Sequence, residues 1–463
     1  MKHVASCRLF ILGACCSAAI AGEKLDSLHL DGLRICDSFN RMMVLRGVVT
    51  ITGNNDGRPM VMTPADYERI RAWGFNVQQI RLEAHRLGLL PPCKAEPDYL
   101  DKLESWVNMA EAQGIYTIFK ATTYDVPGLG FKDQFKPGAW DKLWNVNTGW
   151  QDQFIAGWRP VWERFKNRPS VIGYDFLNEC SPGSDTRGFY HNYLVPFYRR
   201  GCAALRQIDR QHFFIFQPSL RSDDKLEPLG SDNVVFAPHF YAKMRDPETF
   251  YRDLLATGER IKAPVIIGEY GLPNIPFPLG KNPIPASTPE RDEADATLFD
   301  ATAMNTIKTW YTNIGNWSLL QPDGSEIPRF RFFSRPYPQR TAGVPGAFSF
   351  NFRSHEWNFR WETDTTINVP TVIFVPLKRH YPNGFRLTIA DTVQLETDCN
   401  KSLGLRVIAN PKNADISAIR YDFASEILTL GTGKKGGSRT LKITPRSLSA
   451  APPPSFEMLK TLR

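Results

Sequence analysis

The feature that most constrains this chain is a regular alternation, from about residue 40 to 320, of short apolar runs with segments of helical periodicity. Such alternation is typical of parallel strands joined by crossover helices, because parallel neighbours need a long connection. Eight candidate strands occur here: Met43–Val48, Val77–Leu82, Tyr116–Lys120, Val171–Leu177, Phe213–Gln217, Val234–His239, Val265–Gly268 and Gly315–Leu320. Eight such strands close into a barrel, so we predict an α/β protein with a (β/α)8 TIM barrel.

The segments between these strands carry helix signals. Thr63-Pro64 has the pattern of an N-cap followed by Pro at the first helical position. Apolar residues recur at helical spacing over 100–110 and again over 154–165. Pro160 lies inside the second of these faces, so a kink or a break is expected there. Residues 294–312 are expected to form the last long helix before the eighth strand.

Beyond about residue 330 the helical periodicity disappears and short strand-like runs replace it. These runs are Ala347–Phe352, Trp357–Trp361, Thr371–Val375, Arg386–Ile389, Thr392–Glu396, Ile419–Phe423 and Glu426–Leu430. Several are separated by turn residues, which predicts a small antiparallel β-sandwich. We therefore expect a barrel domain over 22–330, a β-sandwich over 331–445 and a flexible tail over 446–463.

The N-terminus has the features of a secretory signal peptide. Lys2 and Arg8 supply positive charge, and Leu9–Ile20 is apolar but too short to span a bilayer. Ala19-Ile20-Ala21 is a small-residue cleavage pattern, so the first 21 residues are predicted to be removed from a secreted protein. A lipoprotein anchor at Cys15 is the weaker alternative.

Composition bounds the function classes. Hydrophobic residues make up 42% of the 463 residues and charged residues 22%, as in soluble globular proteins. The net charge of +8 is not gathered into a long basic run, and nucleic-acid-binding motifs are absent, so no nucleic-acid partner is expected. Five cysteines follow the presumed signal, so at least one should lack an intramolecular partner, and their spacing matches no zinc site.

The C-terminal ends of barrel strands are where TIM-barrel enzymes place their active sites. The fourth predicted strand leads into Asn178-Glu179, and the seventh leads into Glu269. Each carboxylate alone is unremarkable, since an Asn-Glu pair recurs by chance in any long chain. Together they emerge at one rim from roughly opposite sides, which is the arrangement that glycoside hydrolysis needs.

Other polar and aromatic residues follow the same strand ends. Arg81 ends the second strand, His239 and Tyr241 end the sixth, and Trp317 lies in the eighth. Arg81 and Tyr241 could hold a carboxylate nucleophile ionised and oriented. Trp317 could offer a face to a pyranose ring. Each residue has a structural alternative, but their order along the strands makes chance placement of the whole set improbable.

As a set, these residues resemble glycoside hydrolase family 5, the cellulase-like retaining barrels. The segments that carry the resemblance are Val44-Leu45-Arg46-Gly47-Val48, Ile80-Arg81-Leu82, Tyr174 to Glu179, His239-Phe240-Tyr241 and Gly268-Glu269-Tyr270-Gly271. Within the family, Arg335-Pro336-Tyr337-Pro338 resembles the segment that joins the barrel to a β-sandwich in the endoglycoceramidase branch.

The resemblance implies a role for each matching residue. Glu179 would be the acid/base and Glu269 the nucleophile, with no metal or organic cofactor. The residues expected to line the sugar subsite, from the 2-OH contact to the ring platform, are Asn178, Arg81, His239, Tyr241 and Trp317. Three features depart from the family: Cys180 stands where Pro is usual, Phe119–Thr123 lacks the His common after the third strand, and the loop after the eighth strand is short.

The expected activity is hydrolysis of β-glycosidic bonds with retention, by double displacement, on a glycolipid substrate. The two carboxyl groups should then lie about 5–5.5 Å apart. A polysaccharide endo-β-glycanase and an inactive carbohydrate-binding protein remain as alternatives. We expect a monomer with peripheral membrane contact, while the sugar, the aglycone and endo or exo action stay open.

Overall fold

In a computed structural model of the chain, the described residues are 25–51, 61–91, 93–129, 133–134, 136–219, 225–241, 246–278, 283–311, 317–390, 392–397, 405–409, 416–433 and 435–446. The predicted signal peptide and almost all of the predicted tail lie outside them. The described part opens with three short antiparallel strands, β1 (His29–Asp31), β2 (Arg34–Cys36) and β3 (Met42–Met43).

A parallel sheet follows and forms the barrel. Its strands are β4 (Arg46–Ile51), β5 (Val77–Glu83), β6 (Tyr116–Thr122), β7 (Val171–Asp175), β8 (Phe213–Phe216), β9 (Val234–Phe236), β10 (His239–Phe240), β11 (Ile266–Tyr270) and β12 (Asn305–Lys308). The hydrogen-bonded order is β10-β11-β12-β4-β5-β6-β7-β8-β9. β9 and β10 are two parts of one barrel strand, and Phe236 N donates to the Pro264 carbonyl at 2.9 Å. The sheet therefore closes, and the predicted (β/α)8 fold is confirmed.

Helices connect the barrel strands on the outside. They are α1 (Pro64–Ala72), α2 (Tyr99–Ala112), α3 (Asp141–Trp144), α4 (Trp150–Phe165), α5 (Val195–Arg206), α6 (Pro247–Ile261) and α7 (Pro289–Ala301). A capping box between Thr63 and Asp66 starts α1. Pro160 does not break α4, because this residue faces solvent, where water can bond the freed carbonyl. Among the described helices, none has both the length and the apolarity needed to cross a membrane.

The eighth strand corrects one prediction. It is β12, Asn305–Lys308, and α7 covers 294–301 of the helix predicted over 294–312 but ends at Ala301, so the predicted helix is too long and the strand predicted at Gly315–Leu320 is placed too far along the chain. Within Gly315–Leu320, the described residues 317–320 contain only a β-bridge from Leu320 to Glu326. Three of the four β12 residues are polar, so an apolar run could not reveal this strand. Asn305 is satisfied because its side chain accepts from Leu45 N at 2.7 Å.

The interior of the barrel is layered. The layer nearer the N-terminal ends of the strands is apolar, with side chains such as Val77, Ile118, Ile215 and Ile307 packed together. Two residues further along the strands, on the same inward face, stand polar groups, because side chains on a strand alternate with a period of two. These groups are Gln79, Lys120, Asp175 and Gln217, and all four are buried. The active-site rim therefore rests on a buried polar layer rather than on hydrocarbon.

The C-terminal part is built from antiparallel strands. They are β13 (Tyr337–Thr341), β14 (Gly343–Phe350), β15 (Trp357–Thr363), β16 (Thr371–Phe374), β17 (Phe385–Ile389), β18 (Thr392–Glu396), β19 (Leu405–Ala409), β20 (Ile416–Asp422), β21 (Ile427–Thr432) and β22 (Gly437–Pro445), with a short helix α8 (Leu377–His380). They form two sheets, β1-β2-β3-β13-β16-β21-β20-β19 and β14-β15-β22-β17-β18. Their inner faces share one aromatic-rich core. The predicted β-sandwich after the barrel is confirmed.

The three N-terminal strands belong to this sandwich, since β3 pairs with β13. The predicted division at residue 330 makes no provision for them. The barrel and the sandwich also meet at a buried charge cluster, in which Arg46 of β4 and Arg335 both bind Asp300 of α7. The Arg46 guanidinium lies 4.3 Å from the Tyr337 ring centroid. We refer to Arg46, Asp300 and Arg335 as the junction cluster.

Candidate active site

Two carboxylates face each other at the C-terminal mouth of the barrel. Glu179 stands four residues after β7, and Glu269 lies within β11. One oxygen of each lies within 4.8 Å of the other, and both lie within that distance of a His239 ring nitrogen. This spacing is close to the roughly 5–5.5 Å of retaining pairs and well short of the roughly 6.5–9.5 Å of inverting pairs.

The backbone that presents Glu179 is strained. Its φ is +43°, which a residue other than glycine rarely adopts. The Glu179 N–H donates to Gln217 Oε1 at 2.9 Å, and Gln217 Nε2 donates to Asp175 Oδ2 at 2.8 Å. Gln217, just after β8, therefore anchors the turn that aims the Glu179 side chain into the mouth.

The Glu179 carboxylate has a different partner on each oxygen. His239 Nδ1 lies 2.6 Å from Oε1, and the Tyr124 hydroxyl donates to Oε2 at 2.7 Å. Asn178 Nδ2 donates to the same hydroxyl at 2.9 Å. Tyr124 thus bridges Asn178 and Glu179. Its pKa is raised well above the usual value by burial and by the charges of Glu179 and Glu269, so the phenol stays protonated.

Glu269 is surrounded by donors. The Lys120 ammonium donates to Oε1, the Tyr241 hydroxyl donates to Oε2 at 2.5 Å, and His239 Nδ1 lies 3.6 Å from Oε2. Burial raises the pKa of Glu269, but positive charge at His239 and Lys120 and hydrogen bonds from Lys120 and Tyr241 lower it overall, to about 2. Glu269 is therefore a carboxylate at neutral pH.

Arg81 lies in the wall of the same site. Its guanidinium carbon is 5.7 Å from the Tyr124 ring centroid and 5.4 Å from the Trp310 ring centroid. Burial lowers the pKa of Arg81 from its ordinary value. Its predicted place beside the paired carboxylates is consistent with this geometry, and the structure adds Lys120 as a cation that donates directly to Glu269.

The prediction for Trp317 needs a correction. Because β12 ends at Lys308, Trp317 belongs to the loop after the eighth strand and not to the strand itself. Its Nε1 donates to the Gly271 carbonyl at 3.2 Å, and its ring centroid lies 4.7 Å from that of Phe277. Trp310 is the tryptophan that follows the true eighth strand, in a backbone conformation with φ +31°.

The structure brings together five of the residues that the sequence singled out, namely Glu179, Glu269, Asn178, His239 and Tyr241. Sequence reasoning missed four residues of the site: Lys120, Tyr124, Gln217 and Trp310. A signal existed for Lys120, because strand alternation after the inward Ile118 turns it into the barrel. No comparable signal pairs Tyr124 with Glu179, since that contact joins loops after different strands.

Glu179, His239 and Glu269 also have a spacing that a metal ion could use. The Lys120 ammonium already donates to one oxygen of Glu269, and a divalent cation there would face that positive charge. The arrangement suits a carboxylate nucleophile and a nearby acid better than it suits a metal centre. The cysteines of the described residues, Cys36, Cys93, Cys180 and Cys202, are free thiols, and Cys180 is buried behind Glu179.

Comparison with protein families gives two matches along the chain. The family described as cellulase (glycosyl hydrolase family 5) matches residues 36–319, and the glycoside hydrolase family 5 C-terminal domain matches residues 335–419. The first match covers more than half of the chain and includes both carboxylates.

Individual proteins are similar over most of the chain. Endoglycoceramidase I of Rhodococcus hoagii (strain 103S) is 24% identical over 437 residues, which covers 79% of this chain and 82% of that protein. The lactosyl-enzyme intermediate of endo-glycoceramidase II from Rhodococcus sp. has a TM-score of 0.68 at 21% identity, covering 91% of this chain and 100% of that one. Its ganglioside GM3 complex gives 0.67 at 20% identity, with 89% and 99% covered. At these identities the structural likeness shows the fold.

Proposed function

Since this chain belongs to glycosyl hydrolase family 5 and is a retaining glycoside hydrolase, we propose that it cleaves the β-glycosidic bond between the sugar and the lipid part of a glycolipid. The observation that carries the proposal is the carboxylate pair at the barrel mouth, with oxygens within 4.8 Å of each other. One of the two is kept ionised by Lys120 and Tyr241, and the other is reachable from solvent.

In the proposed reaction, Glu269 attacks the anomeric carbon as a carboxylate. The bond from that carbon to the aglycone oxygen breaks as Glu179 gives its proton to the departing oxygen, which leaves a glycosyl ester on Glu269. Glu179, now a carboxylate, takes a proton from water, and the water oxygen attacks the same carbon and releases Glu269. Two inversions give net retention, and the proton returns to Glu179.

The residues around the pair take supporting roles in this proposal. Asn178 binds the sugar 2-OH when substrate enters, in exchange for its contact with Tyr124. Tyr241 holds Glu269 through its hydroxyl, which also lies 3.0 Å from Thr309 Oγ1. Arg81 and Trp310 form one wall together. Trp317 extends the surface from Gly271 toward Phe277.

Exposed apolar residues at the rim of the mouth favour the proposal of a lipid aglycone. The loop after β11 carries Ile275, which is 57% exposed, and Phe277, which packs against Trp317. Val61, before α1 on the same side of the barrel, is 73% exposed. Apolar groups exposed beside an active site can receive a lipid chain or contact a membrane surface. The names of the similar endoglycoceramidases support the same substrate class, and peripheral membrane contact is part of the proposal.

A polysaccharide endo-β-glycanase is the second candidate. Trp310 lies beside Arg81 and Trp317 donates to the Gly271 carbonyl, and both rings could stack on sugar units. The two candidates differ in what the leaving side of the site must accommodate, a ceramide-like or sterol-like lipid in one case and further sugar units in the other. Substrate choice therefore separates them directly.

The test is hydrolysis of a panel of substrates by the mature protein: lactosylceramide, a ganglioside, glucosylceramide, a sterol glucoside, soluble cellulose and mannan. We expect glycolipid cleavage, with the β anomer as the first sugar product by NMR. Glu179→Gln and Glu269→Gln should both be inactive on the natural linkage, while Glu259→Gln, an exposed carboxylate on α6, serves as the matched control. Cleavage of cellulose or mannan alone would replace the glycolipid proposal with the second candidate. A wild type as inactive as both variants on every substrate would overturn the enzyme assignment.

Secretion is also part of the proposal and rests on the N-terminal pattern alone. Sequencing of the mature protein should find Gly22 at the N-terminus. An acylated Cys15 at that end would instead identify a lipoprotein anchor.

A further inference from the structure

The third barrel strand brings a lysine to the nucleophile. Lys120 lies on β6, its side chain is 0% exposed, and its ammonium donates to Oε1 of Glu269 on β11. A lysine is rarely buried without a partner, because removing its charge from water is costly. Here the partner is the carboxylate that the proposed mechanism uses for attack.

The charged and titratable groups that face this pair come from strands all around the barrel. They are Arg81 from β5, Tyr124 from the loop after β6, Asp175 and Glu179 from β7 and the loop after it, and His239 and Tyr241 from β10 and the residue after it. Lys308 of β12 packs over the Tyr270 and Phe333 rings and interacts with Glu269 only through its charge. Lys308 directs its ammonium to the Thr309 carbonyl at 2.8 Å.

Asp175 offers a competing account of Lys120. This carboxylate is fully buried in the polar layer, and it accepts hydrogen bonds from Gln217 and from Gln79, the latter at 3.3 Å. Burial raises the pKa of Asp175 to about 6, and the charge of Lys120 opposes that rise. Lys120 could therefore serve only to neutralise Asp175. Contact geometry favours Glu269, because the hydrogen bond of the ammonium goes to the Glu269 oxygen.

Resting on the glycosidase activity proposed above, we propose that Lys120 is a positioning residue that fixes one oxygen of Glu269 and keeps this nucleophile ionised. With Oε1 bound by Lys120 and Oε2 by Tyr241, the Glu269 carboxylate has a single orientation toward the anomeric carbon. The same ammonium stabilises the carboxylate when it leaves the glycosyl ester in the second displacement. Lys120 does not touch the substrate, since it is covered by the residues above it.

The experiment measures attack by Glu269 directly. The probe is 2,4-dinitrophenyl 2-deoxy-2-fluoro-β-lactoside, which forms a slowly hydrolysed ester with a carboxylate nucleophile, and labelling is followed by intact-mass and peptide mass spectrometry across the acid and neutral range. The labelling rate should fall on the acid side of its pH profile, as Glu269 becomes protonated. In Lys120→Met this acid limb should move up by about 1–3 pH units, because a neighbouring cation depresses a carboxyl pKa by that much. The neutral-pH rate should fall about 100-fold from loss of orientation. Lys120→Arg should keep the wild-type limb.

Two further variants separate this role from a structural one. Lys308→Met removes another buried lysine, on β12 beside the strand that carries Glu269. The Lys308 ammonium donates to a backbone carbonyl, so the acid limb of this variant should move less than that of Lys120→Met. Lys120→Met leaves the buried Asp175 without its nearby cation, which could unfold the single variant. Adding Asp175→Asn removes that buried acid, and the raised limb should persist. A limb restored to the wild-type position in the double variant, or an unchanged limb in Lys120→Met, overturns the role of Lys120 while the glycosidase stands. A wild type that the probe labels at a residue other than Glu269 overturns both the role of Lys120 and the proposed mechanism.

Discussion

The barrel mouth and the junction cluster both bury carboxylates among cations, yet they are built for different ends. At the junction, Asp300 accepts from Arg335 Nε at 2.8 Å and from Arg335 Nη2 at 2.5 Å, and also binds Arg46, all deep between the barrel and the sandwich. At the mouth, the two oxygens of Glu179 and the two of Glu269 are each bound by a different residue, and Glu179 keeps 14% of its side chain exposed.

The difference shows how the same residue types give stability in one place and reactivity in another. A two-pronged arginine contact on a fully buried carboxylate leaves nothing for a ligand to replace. At the mouth, donors such as the Tyr124 hydroxyl and the Asn178 amide can exchange partners when a sugar enters. The comparison therefore predicts that mouth variants change catalysis and junction variants change stability.

The largest effect should come from removing the nucleophile. Glu269→Ala should lower kcat on an aryl β-lactoside by on the order of 10⁶-fold, the scale seen when a nucleophile is removed from an enzyme. Added azide should restore turnover and give the α-glycosyl azide, because one displacement then replaces two. NMR of the product checks the anomer. A β-glycosyl azide would mean that Glu269 is not the nucleophile.

The next effect should appear at the junction and spare catalysis. Asp300→Asn leaves Arg46 and Arg335 without their buried counter-charge, so the free energy of unfolding should fall by about 3–5 kcal/mol. Denaturant unfolding measures the loss, and kcat of the remaining folded enzyme should match wild type. Glu248→Gln, from an exposed ion pair with Arg252, is the control and should change stability by at most about 1 kcal/mol. A large fall in kcat with unchanged stability would show that the junction cluster serves catalysis and not stability.

Acid should lower the free energy of unfolding by protonating Glu269 at the barrel mouth. Its pKa in the folded protein is about 2, below the ordinary value of 4.5, so this group stabilises the fold above about pH 4.5 and loses that contribution as pH falls toward 2. The free energy of unfolding should therefore drop through this window in the wild type. In Glu269→Gln, measured by the same acid titration, the slope should be smaller. Equal slopes in the two proteins would show that Glu269 is not held ionised.

The smallest effect should come from the exchangeable donor. Tyr124→Phe removes one hydrogen bond to Glu179, worth about 1 kcal/mol, so kcat/KM should fall by about 5-fold while the melting temperature stays close to wild type. Steady-state kinetics measure kcat/KM, and thermal unfolding measures the melting temperature. A loss comparable to that of Glu269→Ala would make Tyr124 part of the reaction itself.

Most of the barrel could be predicted because its strands are short apolar runs bounded by helix signals, and both carboxylates follow such runs. β12 escaped because only Ile307 marks it as apolar, and Trp317 was then assigned to the wrong element. β1 and β2 escaped because they are too short to show alternation, and Met43 of β3 was merged into the strand predicted at Met43–Val48. These three strands join the sandwich through the pairing of β3 with β13. Strand position along the chain is a local property, whereas pairing with a distant strand is not.

The sequence by itself determined the fold class, the sandwich, and the placement of Glu179 and Glu269 at one rim. This is because hydrophobic periodicity and the order of the strands along the chain are properties of the local sequence. Tertiary structure alone decided which cation reaches the nucleophile. Lys120 and Glu269 lie 149 positions apart and meet only when the sheet closes into a barrel. The low pKa of Glu269 and the contact between Tyr124 and Glu179 arise from that closure, since charges interact through space and not along the chain.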